Sequence, residues 1–199
     1  MENLWDQRYA SDAYFYGTEP NEWFAEKLRI LKTGKILLPA EGEGRNAVWA
    51  AMQGWDVTAF DQSFEGKAKA NKLAEAKGVK INYLLKDLRC YRAEENTFDA
   101  IALIYVHMPL EFRAKVHGEL IKFLKPGGCL ILEAFSKAQL PNNSGGPKDI
   151  NMLYSAAELR SDFSNLKIME FMDVRLHLEE GQHHKGIADV IRMFARKPF

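Results

Sequence analysis

Two glycines and an aspartate carry the first chemical signal. In "ILLPAEGEGRNAVWAAMQGWDVTAFDQS", residues 36–63, Gly42-x-Gly44-x-x-Ala47 meets the G-x-G-x-x-G/A spacing of a nucleotide-binding turn. Gly42 permits the tight turn, and Gly44 lets the backbone approach a ligand with no Cβ in the way. Asp61 ends the next apolar run, where a carboxylate accepts both hydroxyls of a ribose. On these residues alone, NAD and an adenosyl-sulfonium cofactor are served equally well.

The elements that must hold these residues follow from periodicity. Residues 36–40 read as a short buried strand, 45–53 as a buried helix, and "DVTAFD" (56–61) as a second strand. "FEGKAKANKLAEAKG" is helical with Gly78 as its stop, and "VKINYLL" (79–85) alternates as a third strand. "FDAIALIYV" (98–106) and "CLILEAF" (129–135) are apolar enough for central parallel strands. Pro109 fits the first turn of the helix between them, which "KPGG" breaks. Strands alternating with helices predict right-handed crossovers and a parallel sheet. Ser155 and Glu158 predict a capping box, and residues 166–178 and 186–197 a terminal β-hairpin around polar "EEGQHHK". The fold class is α/β: a three-layer, Rossmann-like, doubly wound sheet, mostly parallel, with an antiparallel C-terminal hairpin strand. One domain is expected over 1–199, with an N-terminal lid and helix (1–33), a cofactor-binding core (34–136), and a C-terminal helix and hairpin (137–199).

Charge narrows the partners. Lys+Arg and Asp+Glu both number 27, so no positive field is available for nucleic acid or a membrane surface. No apolar run reaches the ~20 residues of a membrane span. The opening "MENLWDQRYASD" lacks a basic region followed by an apolar one, so a cytoplasmic location is expected. Cys90 and Cys129 form no CxxC and read as reduced, partly buried thiols.

The rest of the chain separates the two cofactors. No tyrosine is followed four positions later by lysine, so the short-chain dehydrogenase dyad is missing, and no separate substrate domain is evident. The segments "LWDQRYASDAYFYGTEPNEWF", "GEGRNAVWAAMQGWDVTAFDQS", "FLKPGG" and "GIADVIRMFARKP" resemble the class I S-adenosylmethionine-dependent methyltransferases. Within that class they resemble the tellurite-resistance (TehB-like) and thiopurine methyltransferase-like branch. The resemblance implies S-adenosyl-L-methionine as cofactor and the class I methyltransferase fold. It also implies a site: Ala40, Gly42 and Gly44 beside the methionine and ribose, with Arg45 and Asn46 opening the helix. Asp61 would hold the ribose with Gln62 alongside, Asp87 the adenine amino group and Leu88 the ring face. Tyr105 to His107 would floor the reaction site. The acid common on the first strand of this class is replaced by Leu38, which leaves Glu41 or Glu43 to meet the cofactor's amino group.

Methyl transfer from a sulfonium needs alignment and exclusion of water more than acid–base help. Trp5, Tyr9, Tyr14, Phe15, Tyr16, Trp23 and Phe24 crowd the first 24 residues and read as an aromatic lid. Tyr9, Tyr16 and Trp23 are the candidates for contact with the acceptor, and Arg8 is the nearest cation for an anionic one. His107 is a candidate orienting or base residue. His177, His183 and His184 flank the hairpin turn without recognised metal spacing, so no metal is expected. His184 or His177, with Arg192, would reach over the site from the hairpin. His117 reads as a surface residue. No Asp/Asn-Pro-Pro-Tyr/Phe follows the fourth strand and neither cysteine follows a proline, which sets aside the DNA amino- and cytosine C5-methyltransferase signatures. The implied reaction is methyl transfer to a small, soft nucleophile: a thiol, or a selenium or tellurium species. The alternatives are a non-catalytic S-adenosylmethionine-binding regulatory module and an NAD-linked oxidoreductase.

Overall fold

A computed structural model describes residues 4–181 and 183–199. Its sheet has seven strands in the order β3-β2-β1-β4-β5-β7-β6, parallel except that β7 runs antiparallel to both neighbours. The strands are β1 (Lys35–Pro39), β2 (Asp56–Asp61), β3 (Asn82–Leu85), β4 (Phe98–Ile104), β5 (Leu124–Phe135), β6 (Lys167–Glu180) and β7 (His184–Arg196). The helices are α1 (Leu4–Tyr9), α2 (Glu22–Arg29), α3 (Arg45–Met52), α4 (Phe64–Ala76), α5 (Leu110–Phe123) and α6 (Ala156–Asp162).

The apolar run in β4 is explained by burial on both faces. Ile101 and Leu103 point into a core with Val116, Leu120 and Phe123 of α5 and Leu159 of α6. Ala100 and Ala102 point the other way, toward Trp23, Phe24 and Leu28 of α2 and Ala47 and Ala50 of α3. The order reverses between β1 and β4, where the chain winds outward in opposite directions. Ala40 and Tyr105, just past these two strands, both hold positive φ, 50° and 54°. Non-glycine residues seldom adopt that conformation, and it turns both backbones sharply at the switch point.

Three expectations are corrected. The third strand is shorter than 79–85. The Val79 N–H instead caps α4 on the Ala74 carbonyl, and Val79 and Ile81 pack against Val48 and Leu73. The hairpin strands run further than predicted, to Glu180 and from His184, because those two residues pair across the turn. His117 is buried, not on the surface: its Nδ1 lies 2.8 Å from Asp162 of α6 and its ring stacks on Phe163. Pro109 sits one residue ahead of α5, as its N-cap. The Ser155–Glu158 capping box is present.

Cys90 is exposed and Cys129 buried, both as free thiols. Among the described residues, no helix is long and apolar enough to cross a membrane.

Candidate active site

A cavity of about 400 Å³ opens at the carboxyl ends of β1, β2 and β4, where open α/β sheets bind ligands. Its walls bring together most of the residues singled out from sequence: Tyr9, Tyr16, Ala40, Glu41, Gly42, Arg45, Asn46, Asp61, Gln62, Asp87, Leu88, Tyr105, His107 and His184 all line it.

Asp61 closes the loop between β1 and α3. Its Oδ2 accepts the Gly42 N–H at 3.0 Å and its Oδ1 the Ser63 N–H at 2.9 Å. Burial raises its pKa against these hydrogen bonds and one from the Gln62 N–H. A carboxylate offers about four lone-pair sites, so acceptor capacity remains toward the cavity. Glu41 caps α3, accepting from the Asn46 and Ala47 N–H groups at 2.8 and 2.7 Å. Burial lifts its pKa to about 7, with the two N–H groups and Arg45 working the other way. Asp87 is held below its usual range by hydrogen bonds from Arg89, at 2.9 Å from Nε and 2.6 Å from NH2.

The lid closes over this loop. Asp6 of α1 accepts from Ser63 Oγ and the Glu65 N–H at the start of α4. Tyr9 lies against both Gly42 and Gly66, and Trp5 stacks on Tyr9 at 5.5 Å. Trp5, Tyr9 and Tyr16 line the cavity.

Five candidates stand elsewhere or act differently. Gly44 does not line the cavity. A Cβ there would fall 2.5 Å from the Ala70 Cβ, so its bare backbone serves the close packing of α3 on α4. Trp23 is buried in the core between Lys27 and Arg192, 4.2 and 5.6 Å from its ring, and does not reach the cavity. Arg8 is exposed, stacked 4.7 Å over Trp5 and hydrogen-bonded to Tyr16. His177 lines a neighbouring cleft of about 430 Å³ between residues 16–22 and the hairpin, which shares Tyr16 and Arg45 with the main cavity. Glu43 is turned away, accepting from the Phe15 N–H and Lys69, so of the two acids only Glu41 faces the cavity.

His107 and Tyr105 floor the cavity, with their polar atoms already engaged. His107 Nδ1 lies 2.8 Å from the Met152 carbonyl and Nε2 accepts the Phe135 N–H at 3.3 Å, which sets the ring as the neutral Nδ1-H tautomer. Burial lowers its pKa to about 4. Tyr105 donates its hydroxyl to Glu133 Oε1 at 2.6 Å, and burial with that neighbouring carboxylate pushes its pKa well up.

Glu133, Asn21 and Glu180 were not anticipated from sequence. Glu133 is fully buried in β5 and also accepts from Asn21 at 2.7 Å and from Arg192. Asn21 donates in turn to Glu180, which accepts from Arg45 at 2.9 Å and contacts His184 at 3.2 Å. Burial opposes ionisation of Glu180, yet Arg45 and His184 outweigh it and hold its pKa at about 2. A lone acid inside "CLILEAF" was the visible signal for Glu133.

Comparison with known proteins points the same way. Residues 36–128 match the family described as "Methyltransferase domain". The probable S-adenosyl-L-methionine-dependent methyltransferase TehB of Haemophilus influenzae is 26% identical over 176 residues, 85% of this chain and 59% of that protein. The crystal structure of TehB from Haemophilus influenzae superposes with a TM-score of 0.75 at 20% identity, covering 97% of this chain and 65% of that one. Residues 36–128 thus resemble a methyltransferase domain, and the sheet has the class I methyltransferase fold. Thiopurine S-methyltransferase of Legionella pneumophila is a further distant relative of this chain, 24% identical over 66% of the chain and 68% of that enzyme. The chain spans about three fifths of the length of the TehB protein it matches.

The cofactor of such methyltransferases is S-adenosyl-L-methionine, and the donor set of this cavity fits it. Three carboxylates, Glu41, Asp61 and Asp87, are spread along the cavity under an aromatic cover, as a ligand with an ammonium group, a ribose and an adenine requires.

Proposed function

We propose that this chain transfers a methyl group from S-adenosylmethionine to a small, soft nucleophile, a thiol or a selenium or tellurium species. The observation that carries this reading is the engaged reaction floor. The His107 nitrogens are held by backbone, Tyr105 is held by Glu133, and His184 faces Glu180. Neither His107 nor Tyr105 is free to act as a general base. An acceptor that arrives as a good nucleophile needs none from them, which favours large, polarisable atoms. The name of the TehB relative supports methyl transfer from S-adenosylmethionine, and that of the thiopurine S-methyltransferase relative a sulfur acceptor.

S-adenosylmethionine, when bound, would supply a methyl carbon on a sulfonium, to which an acceptor lone pair bonds as the carbon–sulfur bond breaks and a neutral thioether leaves. Asp61 would hold the ribose hydroxyls with Gln62 alongside, Asp87 the adenine amino group beside Leu88, and Glu41 the ammonium. Ala40, Gly42 and Asn46 shape the wall between them. Trp5, Tyr9 and Tyr16 exclude water and face the acceptor. Tyr105, fixed by Glu133, and His184, fixed by Glu180, orient it, while Arg45 ties the α3 N-terminus to the hairpin. His177 lines the cleft beside Tyr16, where an acceptor would enter, and Arg8 acts on Tyr16 from outside that lining.

Parallel calorimetric titrations with S-adenosylmethionine, S-adenosylhomocysteine and NAD, followed by product assays with thiols, selenite and tellurite, test the reading. Binding of the first two without NAD, and S-adenosylhomocysteine formation dependent on a soft acceptor, is the expected result. Cofactor binding with no methylated product from any of them would sink the proposed acceptor class.

A further inference from the structure

A smaller cavity of about 200 Å³ lies beyond the adenine end of the cofactor cavity, between α5 and the segment after β3. Tyr91, Phe112 and Phe123 supply aromatic walls, with Leu88, Val116 and Leu120 between them. Buried apolar side chains form its base and exposed charged residues its mouth, so it is an open cleft with room for a small ligand.

Its rim is positive. Arg89, Arg92 and Lys115 stand around it with a single acid, Glu119. Glu119 is already paired with Lys122 at 2.7 Å, and the charges of Lys122, Lys115 and Arg92 all favour its ionised form. Arg92 spends one amino group on the Arg89 and Tyr91 carbonyls, which fixes the guanidinium at the mouth without neutralising it. Apolar walls with a cationic rim match a molecule with an apolar body and one anionic head.

The two cavities share walls. Leu88, Arg89 and Phe112 line both, and Arg89 lies 5.2 Å over the Phe112 ring. Tyr91 stacks at 4.3 Å on Phe60, which lines the cofactor cavity. Arg89 is also the partner of Asp87.

We propose that this second cavity binds a small amphipathic anion, an apolar chain or ring carrying a carboxylate or sulfonate, and that its occupation strengthens cofactor binding. An anion at the rim draws the Arg89 guanidinium outward and releases Asp87 for the adenine amino group. The anion site stands on this cavity alone; only the coupling rests on the adenine placement proposed above.

Octanoate and octylamine, which share a body and differ in head charge, are the probes. Each is titrated calorimetrically into the full chain, with and without S-adenosylhomocysteine. Octanoate binding at least tenfold tighter than octylamine is expected, with R92E/K115E removing that preference and V116W blocking both. Equal affinity for the two probes, no octanoate binding at millimolar concentration, or an undisturbed preference in R92E/K115E would overturn the site. Saturating octanoate should tighten S-adenosylhomocysteine binding several-fold, and octanoate binding should tighten reciprocally. Octanoate binding that leaves S-adenosylhomocysteine affinity unchanged overturns the coupling. Absence of S-adenosylhomocysteine binding in the free protein strikes the cofactor reading instead.

Discussion

The Tyr9 hydroxyl occupies the space that a side chain at Gly42 would need: a Cβ there would lie 2.6 Å from the Tyr9 Oη. The first glycine of the nucleotide-binding turn thus makes room for the lid as well as for the turn, at φ +61°.

Gly42→Ala should therefore do two things. It strains the backbone at positive φ, destabilising by roughly 1–3 kcal/mol, and it pushes Tyr9 and α1 off the loop. A lowered Tm with faster tryptic cleavage after Arg8 is the expected pair of results. A lowered Tm with unchanged cleavage would detach the lid from this glycine.

Asp61→Ala should weaken S-adenosylmethionine binding by roughly 1.5–3 kcal/mol, from lost hydrogen bonds to a charged group. The Gly42 and Ser63 N–H groups also lose their acceptor, so part of the change will appear as a lower Tm. Calorimetry on the folded fraction separates the two. Full-strength binding in that fraction would remove the ribose from Asp61.

Glu41 makes cofactor affinity depend on pH. A glutamate in the unfolded chain ionises near 4.5, whereas burial holds the folded group to about 7. Its contribution to stability is thus full below 4.5 and is lost as pH rises through 7. A cofactor ammonium reverses that preference by stabilising the carboxylate. S-adenosylmethionine affinity should rise about fivefold between pH 6 and 7, as the ionised fraction grows. Glu41→Gln should flatten that rise. A slope that survives the substitution would place the titrating group elsewhere.

What sequence could reach depended on how far a residue's partners lie from it. Gly42 and Asp61 were legible because a strand, turn, helix and strand in order place an acid beside a turn. The packing constraint on Gly44 was not legible, because Ala70 lies on another helix with no mark of the contact in its own sequence. Trp23 looked like part of an aromatic lid, yet Trp23, Phe24 and Leu28 share the face of α2 that packs into the core. His117 looked like a surface polar residue because Asp162, which makes its burial tolerable, lies on α6. The Asn21–Glu133–Glu180 cluster joins three elements spread across the chain, and no local pattern announces it.

His107 gives the test that separates a structural floor from a catalytic base. Its two nitrogens satisfy the Met152 carbonyl and the Phe135 N–H, both backbone atoms that no side-chain pattern reveals. His107→Ala leaves both without partners and should cost roughly 2–4 kcal/mol of stability. The unfolded chain takes up this proton near pH 6.5 and the folded protein near 4. Its stabilising contribution is therefore full above 6.5 and is lost as pH falls toward 4. His107→Gln, which cannot take up that proton, should reduce the acid slope of unfolding free energy by about 1.4 kcal/mol per pH unit in this window. The turnover of folded His107→Gln should keep the pH profile of the parent. An altered profile with an unchanged acid slope would move His107 from the scaffold into the chemistry.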